Sequence, residues 1–455
     1  MSNPHDAKFI RMTTTPVGSL VCSLAVPTIA SMMVTALYNL ADTYFVGMLE
    51  NNSATGAVGV VFSLMAIIQA VGFFFGHGSG NYISRQLGKQ AMEDAEKMAA
   101  TGVVLAFMAG ILITVLGQIF CEPLAKLLGS TPTILPYAKD YLRIILIGAP
   151  YMTASFVLNN QLRFQGSAVY GMIGIVAGAV LNVALDPLFI FTFSMGVSGA
   201  ALATILSQLV SFCLLLVGCA RGGNLKIRLR NAQFSFHYFK EIGRGGLPSL
   251  CRQGLASVAT ICLNNSAGVY GDAAIAAMSV VNRAMHLAQS ALIGFGQGFQ
   301  PVCGFNYGAG LYRRVRQAYW FCVRWSTVFL LAISVVGWIF APQIIAIFRD
   351  DPDVIAFGTT ALRLQCLTFG LCGYNMMSSM MTQTIGQVGR ASVLAVARQG
   401  LFFIPAVLLL PQFFDQLGVQ MAQSVSDVCS FLLTIPLTAG SLRQMKQMEQ
   451  KENVQ

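Results

Sequence analysis

Charged residues are scarce in this sequence. Asp, Glu, Lys and Arg together form 10% of the 455 residues, whereas about 25% is usual in soluble domains. Hydrophobic residues form 55% of the chain, and its mean hydropathy is +0.65. This balance excludes an ordinary soluble domain and indicates an integral membrane protein.

Motifs for several kinds of chemistry are also lacking. The stretch LGKQ at Leu87–Gln90 has neither the first glycine nor the hydroxyl of a nucleotide-binding P-loop. The 11 cysteines form no CxxC pair, and no His stands at metal-binding spacing. We find no HExxH helix, no Cys/His nucleophile pair and no paired carboxylates with an acid/base partner. We therefore expect no enzyme activity, no metal centre and no cofactor.

Acidic residues are fewer than basic ones, 18 against 28, so the net charge is +10. The basic residues lie at the termini and in every second loop between about twelve apolar windows, each long enough to cross a bilayer. The alternate loops hold only Lys126, Lys139 and Arg349. By the positive-inside rule, this pattern predicts a multi-pass protein of the inner (cytoplasmic) membrane with both termini in the cytoplasm. The excess of basic residues therefore indicates how the protein is oriented in the membrane, and we expect no nucleic-acid partner.

The two halves of the chain repeat at an offset of about 220 residues. Pro27 matches Pro248, and Thr131–Pro132 matches Asp351–Pro352. Because six is an even number, the two copies of a six-span repeat enter the membrane in the same direction. We predict an all-α integral membrane protein with twelve transmembrane helices, arranged as two parallel-repeat six-helix lobes around a central cavity. The expected divisions are an N-lobe at 1–221, a cytoplasmic linker at 222–245, a C-lobe at 246–440 and a cytoplasmic tail at 441–455.

Three acids lie inside predicted spans: Asp42, Asp186 and Asp427. A carboxylate at mid-bilayer costs about 2.5–3.5 kcal/mol, which favours a functional role. Helical rise places Asp42 and Asp186 in the outer half of the membrane together with Asn182 and Thr204. Because two carboxylates, an amide and a hydroxyl are hard oxygen ligands, this set predicts a site for H⁺ or Na⁺.

The second half offers a different set of candidates. Asp427 and Arg283 both fall near mid-bilayer, and we favour a buried ion pair over a substrate contact for them. Arg398 is predicted near a span end, where its head group reaches water. Pro27 and Pro248 are candidate helix-bend positions.

The residues behind this argument also carry a resemblance. Pro27 followed by YNLADTYFVG, the turn GHGSG with QLGKQ, LNVALDPLFI and GVSGAALAT resemble the multidrug and toxic compound extrusion (MATE) family, in its DinF-like prokaryotic branch. The resemblance implies a cation site at Asp42, Asn182, Asp186 and Thr204. It also implies a cation-coupled antiporter that exports lipophilic, often cationic, drugs in exchange for H⁺ or Na⁺. We expect it to work by alternating access, as a monomer in membrane lipid.

Three alternatives stand beside this interpretation. GNYISRQLGKQ is a near miss to a loop motif of major-facilitator transporters, with Ser84 where their acid belongs. Flippases for lipid-linked precursors share the two-lobe plan of the same superfamily. The third alternative is a receptor or channel, in which the membrane acids have a structural role. Asp42→Asn distinguishes the two cases: a coupling acid predicts loss of transport with normal folding, and a structural acid predicts loss of assembly.

Overall fold

The computed structural model describes residues 4–48, 52–222 and 225–452, which are almost entirely helical. The first half contains α1 (Pro4–Thr14), α2 (Val17–Gly47), α3 (Asn52–Gly88), α4 (Met92–Ile119), α5 (Cys121–Leu127), α6 (Leu135–Phe164), α7 (Ala168–Pro187) and α8 (Val197–Gly222). The second half contains α9 (Phe236–Gly268), α10 (Asp272–Gly308), α11 (Tyr312–Ile339), α12 (Ala341–Phe348), α13 (Pro352–Thr384), α14 (Val388–Val396) and α15 (Ile404–Glu452). Two π-helical segments, Leu188–Thr192 and Ala397–Phe403, follow α7 and α14.

Nine helical segments within the described ranges are long and apolar enough to cross a membrane. The last of them, Val388–Lys451, is 64 residues long and holds two helices, because the backbone of Asp415 is non-helical, with φ 50° and ψ −130°. Helices α9 and α10 are as long as the others, at 33 and 37 residues, although charged and amide residues interrupt their apolar stretches. The prediction of an all-helical membrane protein is confirmed.

The chain divides into two compact units. The first comprises Met1–Met12 and Ala30–Gly246, and the second comprises Thr13–Ile29 and Leu247–Gln455. The division therefore falls inside α2 and inside α9, the first long helix of each half. Pro27 and Pro248 each lie within three residues of these division points.

One helix is central to each unit. In the first unit α3, α4 and α8 all pack against α6, and in the second unit α10, α11 and α15 all pack against α13. Both central helices end in the same way, at Gly166 with φ +79° and at Gly386 with φ +83°. The amides of Ser167 and Gln387 then bond back to carbonyls of the last helical turn, at 2.9 and 3.0 Å. This left-handed glycine cap satisfies carbonyls that the helix end leaves open.

Two predicted boundaries differ from the structure. Helix α9 begins at Phe236, ten residues before the predicted C-lobe, so the second part of the predicted linker is helical. Helix α15 continues to Glu452, so most of the predicted tail is helical as well. Polar residues do not end a helix by themselves, because only Gly, Pro and competing side-chain hydrogen bonds disfavour it strongly.

Candidate functional site

The buried face of α7 has a four-residue period. Gly174, Gly178, Asn182 and Asp186 follow one another at this spacing and are all buried. Residues four apart lie above one another on a helix, so two glycines and two polar residues form one stripe. Along this stripe, the two glycines come first, and the Asn182 amide and the Asp186 carboxyl group follow.

The glycines of this stripe bring α8 close to α7. A Cβ at Gly174 would lie 2.7 Å from side-chain atoms of Leu215, and a Cβ at Gly178 would lie 2.9 Å from Cβ of Ser211. Both distances are shorter than real Cβ contacts, so a side chain at either position would force Leu215 or Ser211 to shift. Small residues are the usual means by which membrane helices approach each other closely.

This close packing places Asn182 beside Thr204 of α8. Asn182 Nδ2 lies 3.5 Å from Thr204 Oγ1, and the Thr204 hydroxyl donates to the Ala200 carbonyl at 3.0 Å. Asn182 Oδ1 is buried and has no hydrogen-bond partner in the part of the chain that the structure describes. The pair therefore presents oxygen lone pairs in a buried space, which suits a cation.

Asp186 lies one helical turn beyond Asn182 and is fully buried, with 0% of its surface exposed. It directly precedes Pro187, which has no amide hydrogen and so leaves the Val183 carbonyl without its usual helical donor. The π-helical segment Leu188–Thr192 begins at the next residue. Single π-helical turns occur frequently at functional sites. The sequence did not predict this one.

The structure thus places three of the four predicted cation-site residues on the facing sides of α7 and α8. The fourth, Asp42, belongs to α2 in the part of that helix assigned to the first unit. Its side chain lies outside the described residues. Pro27 and Pro248 both lie inside helices, α2 and α9, and their role in bending remains a prediction.

The predicted partner of Asp427 was wrong. Arg398 Nε donates to Asp427 Oδ1 at 2.7 Å, whereas Arg283 is exposed on α10 and forms no ion pair among the described residues. Arg398 lies in the π-helical segment Ala397–Phe403. Since α14 begins at Val388, ten residues earlier, Arg398 is about 15 Å along this helical segment rather than at its end.

Polar groups complete the surroundings of Asp427, which is 1% exposed. Gln423 Nε2 donates to Oδ1 at 2.9 Å, and Thr368 Oγ1 donates to Oδ2 at 3.5 Å. Asn375 Nδ2 donates to the Asp427 carbonyl at 3.4 Å. A buried carboxylate that is both paired and hydrogen-bonded in this way is suited to a structural role.

Sequence reasoning also missed a cluster around Asp94 in the first unit. Tyr82 and Tyr238 both donate a hydroxyl hydrogen bond to the Asp94 carboxylate, at 2.5 and 2.7 Å. His237 Nε2 lies 3.0 Å from the Tyr82 hydroxyl. The cluster joins α3, α4 and the start of α9. The only signal in the sequence was an acid in the first turn of a helix, which is common.

A duplicated helical unit that buries an amide, a carboxyl group and a hydroxyl within its spans is typical of membrane transporters. The MatE family profile matches the chain twice, at residues 27–188 and 248–409. The chain therefore belongs to the MatE family. The two matches begin at Pro27 and Pro248, the same prolines that begin the repeat. The chain is a multi-pass membrane transporter and not an enzyme.

Known relatives match this chain over nearly its whole length. The multidrug export protein MepA of Staphylococcus haemolyticus is 26% identical over 410 residues, covering 90% of each chain. A MATE crystal structure in complex with MaL6 has a TM-score of 0.91 at 26% identity, covering 96% of this chain and 99% of the other. An outward-facing multidrug resistance MATE transporter of the MOP superfamily has a TM-score of 0.90 at 26% identity, covering 96% and 98%.

Proposed function

We propose that this transporter exports lipophilic, often cationic, compounds in exchange for H⁺ or Na⁺. The observation that carries the proposal is the buried contact between Asn182 and Thr204, one turn from the buried Asp186. The export of drugs by MepA relatives supports the substrate class. Within the family we assign the chain to the DinF-like branch, on the motifs YNLADTYFVG and LNVALDPLFI.

In the proposed mechanism, the coupling ion binds in the N-lobe among Asp42, Asn182, Asp186 and Thr204. Burial in an apolar bundle disfavours a bare carboxylate, so a proton or Na⁺ stabilises the closed site. Ion binding and drug binding then lower each other's affinity by the same factor, since coupling between two sites is reciprocal. Pro27 and Pro248 would allow α2 and α9 to bend as the lobes exchange access.

The membrane potential limits the drug gradient that exchange for one ion can maintain. A membrane potential of 100 mV moves one charge with about 2.3 kcal/mol, and each tenfold gradient costs about 1.4 kcal/mol. One proton therefore holds a neutral drug at a gradient of roughly 40-fold. A monovalent cationic drug exchanged for one proton moves no net charge, so only the pH gradient drives its export.

The decisive experiment is export of ethidium, a fluorescent lipophilic cation, from proteoliposomes under an imposed pH gradient and then an imposed Na⁺ gradient. Wild type is expected to respond to one gradient, and Asp186→Asn and Asp42→Asn are expected to abolish that response. The matched control is Asp272→Asn, because Asp272 is an exposed acid in the first turn of α10. Folded wild type that ignores both gradients contradicts the proposal, and a lipid-linked substrate then becomes the next to test.

We further propose that the basic loops face the cytoplasm, with both termini on that side of the inner membrane, and that the transporter acts as a monomer. The support is the asymmetry of Lys and Arg between alternate loops. In a background without the native cysteines, cysteines introduced singly at exposed loop positions are expected to react with an impermeant maleimide in intact cells only in the loops that are poor in Lys and Arg, which include those that hold Lys126 and Arg349. The opposite labelling pattern contradicts the orientation.

A further inference from the structure

A cavity of about 520 Å³ lies beside the first half of α11. Its lining includes Arg313, Arg316, Gln317, Trp320, Arg324 and Trp325. Phe321 closes one side, where its ring contacts the first turns of α2; a Cβ at Gly18 would lie 3.0 Å from this ring. The cavity belongs to the second unit, far along the chain from the proposed cation site.

Most of the lining lies on one exposed face of α11. Gln317, Trp320 and Arg324 follow Arg313 by four, seven and eleven residues, so all four share a helix face. All four are exposed, and Trp320 keeps 45% of its surface accessible. Trp325, at the edge of this face, is 56% exposed. The face is therefore not covered by the rest of the described chain.

The cavity is strongly basic. Helix α11 contains four arginines and no acidic residue. Arg316 pairs with Glu449, yet its Nη1 is buried and without a hydrogen-bond partner among the described residues. Across the described ranges, neither Arg313 nor Arg324 forms an ion pair with a carboxylate. Charge complementarity thus calls for an anion.

The same face continues as an apolar surface. Val328, Leu331 and Val335 follow Arg324 along α11 and are 57%, 50% and 58% exposed. Trp side chains favour the boundary between headgroups and hydrocarbon, so Trp320 and Trp325 mark that level. Arg313 and Arg316 precede both tryptophans along α11, Arg324 lies between them, and the exposed aliphatic side chains follow, an order that matches an amphiphile with an anionic head and apolar chains.

We propose that this cavity binds an anionic phospholipid, with the anionic headgroup lying among Arg313, Arg316 and Arg324 and an acyl chain along Val328 and Leu331. Guanidinium groups bind phosphate oxygens through a rigid fork of donors, which makes Arg the preferred residue for this purpose. Basic pockets on membrane helices at the cytoplasmic side are a recurrent form of anionic-lipid site. The assignment does not depend on which compound the transporter exports.

The sequence supplies a direct probe of occupancy. All three tryptophans of the chain, Trp320, Trp325 and Trp338, lie on α11. In a Trp338→Phe background, fluorescence excited selectively in tryptophan comes only from Trp320 and Trp325, which line the cavity. Lipids brominated in the acyl chain quench a nearby indole, so the protein in nanodiscs is titrated with brominated phosphatidylglycerol or brominated phosphatidylcholine. We expect phosphatidylglycerol to reach half-maximal quenching at a mole fraction at least fivefold lower.

Variants then test the arginines. Arg313→Gln/Arg324→Gln is expected to abolish the preference, and Arg313→Lys/Arg324→Lys to keep part of it, because Lys retains the charge but not the fork. The matched control is Arg230→Gln/Arg443→Gln, which removes the same charge from two exposed positions elsewhere. It is expected to keep the full preference.

Several outcomes overturn the proposal. Equal quenching by the two lipids in the Trp338→Phe protein does so, as does an unchanged preference in Arg313→Gln/Arg324→Gln. Equal loss in the control pair shows that general surface charge, and not this cavity, attracts the lipid. Inorganic phosphate is expected not to relieve quenching by phosphatidylglycerol, and relief by phosphate alone shows that the cavity is an anion site without a lipid.

Discussion

Arg398 Nε lies 2.7 Å from Asp427 Oδ1, so the one carboxylate that the sequence places at mid-membrane in the second half has a cationic partner. The two side chains come from different helical segments, and the Arg398 carbonyl also accepts a hydrogen bond from the Ser426 hydroxyl. In the first half, the buried Asp186 lies one helical turn from Asn182, whose amide lies 3.5 Å from the Thr204 hydroxyl.

Breaking this ion pair from one side is expected to destabilise the second unit. Asp427→Asn leaves the Arg398 guanidinium without its counter-ion, and loss of one partner of a buried pair typically costs about 3–5 kcal/mol. The double variant Arg398→Met/Asp427→Leu removes both charges and is expected to recover most of the loss. Thermal unfolding of the purified protein in detergent measures both effects. Equal destabilisation by the single and the double variant contradicts a structural pair.

The Thr204 hydroxyl is expected to distinguish Na⁺ from H⁺ as the coupling ion. Thr204→Val keeps the shape of the side chain and removes one oxygen, whereas Thr204→Ser keeps the oxygen and serves as the matched control. If Na⁺ is coupled, the Na⁺ concentration for half-maximal transport is expected to rise about tenfold in Thr204→Val, equivalent to about 1.4 kcal/mol. An equal rise in Thr204→Ser shows that packing, and not the hydroxyl, matters.

Gly298 is expected to be intolerant of any side chain. A Cβ there would lie 2.4 Å from the Ala25 Cα of α2, a backbone atom that cannot turn aside. Gly298→Ala should separate α2 from α10 and weaken the hydrogen bond from Thr28 Oγ1 to the Gly294 carbonyl, now 2.6 Å. Thermal unfolding should show a loss, as overpacking typically costs about 1–3 kcal/mol.

The control for this substitution is Gly254→Ala in α9. Apart from the nearby backbone of α9 itself, no heavy atom lies within 4 Å of a Cβ built at Gly254, so alanine there is expected to stabilise the helix by about 0.5–1 kcal/mol. Two glycine-to-alanine changes in long helices are thus predicted to act in opposite directions. A similar effect of both would mean that helix propensity, and not the contact with α2, governs the result.

Lys8 is expected to titrate within reach of physiological pH. Burial and, to a lesser extent, the nearby Arg11 lower the pKa of the Lys8 amine to about 8, while its Nζ donates to Ser167 Oγ at 2.6 Å and to the Gly222 carbonyl at 2.7 Å. Between about pH 8 and its ordinary pKa of about 10.4, the unfolded chain holds more protons than the folded one. Folding stability therefore rises with pH across this window.

Competitive acetylation of the amine, followed by mass spectrometry from about pH 6 to about pH 11, measures this titration. The midpoint for Lys8 is expected near 8 in the folded protein and near the ordinary lysine value in denaturant. Arg11→Gln should move the folded midpoint upward, since it removes the second cause of the shift. A folded midpoint equal to the denatured one contradicts the burial of α1 against the rest of the first unit.

The shared helix face of Asn182 and Asp186 could be predicted from sequence because helical periodicity is a local property, whereas the place of Asp42 in the site remains a prediction. Asn182 and Asp186 are four residues apart and must share a face of α7. The level of Thr204 followed from the rise per residue. The Arg398–Asp427 pair could not be predicted in the same way, since the depth of Arg398 depends on where α14 begins and on the π-helical segment after it. An earlier helix start or a π-helical turn changes the depth of every residue that follows, and the amino-acid composition does not show either of them.

The sequence by itself determined that this is a duplicated, all-helical membrane protein with acids buried in its spans. These conclusions rest on hydropathy, on the positions of proline and glycine, and on helical spacing. Each of these properties depends only on residues close together in the chain, so the sequence is enough to recognise it. Only the tertiary structure decided which side chains meet. It brought Asn182 to Thr204 through the glycine face of α7, gave Asp427 its partner Arg398, and divided α2 and α9 between the two units. Each of these depends on contacts between segments distant in the chain, and local sequence preferences do not specify such contacts.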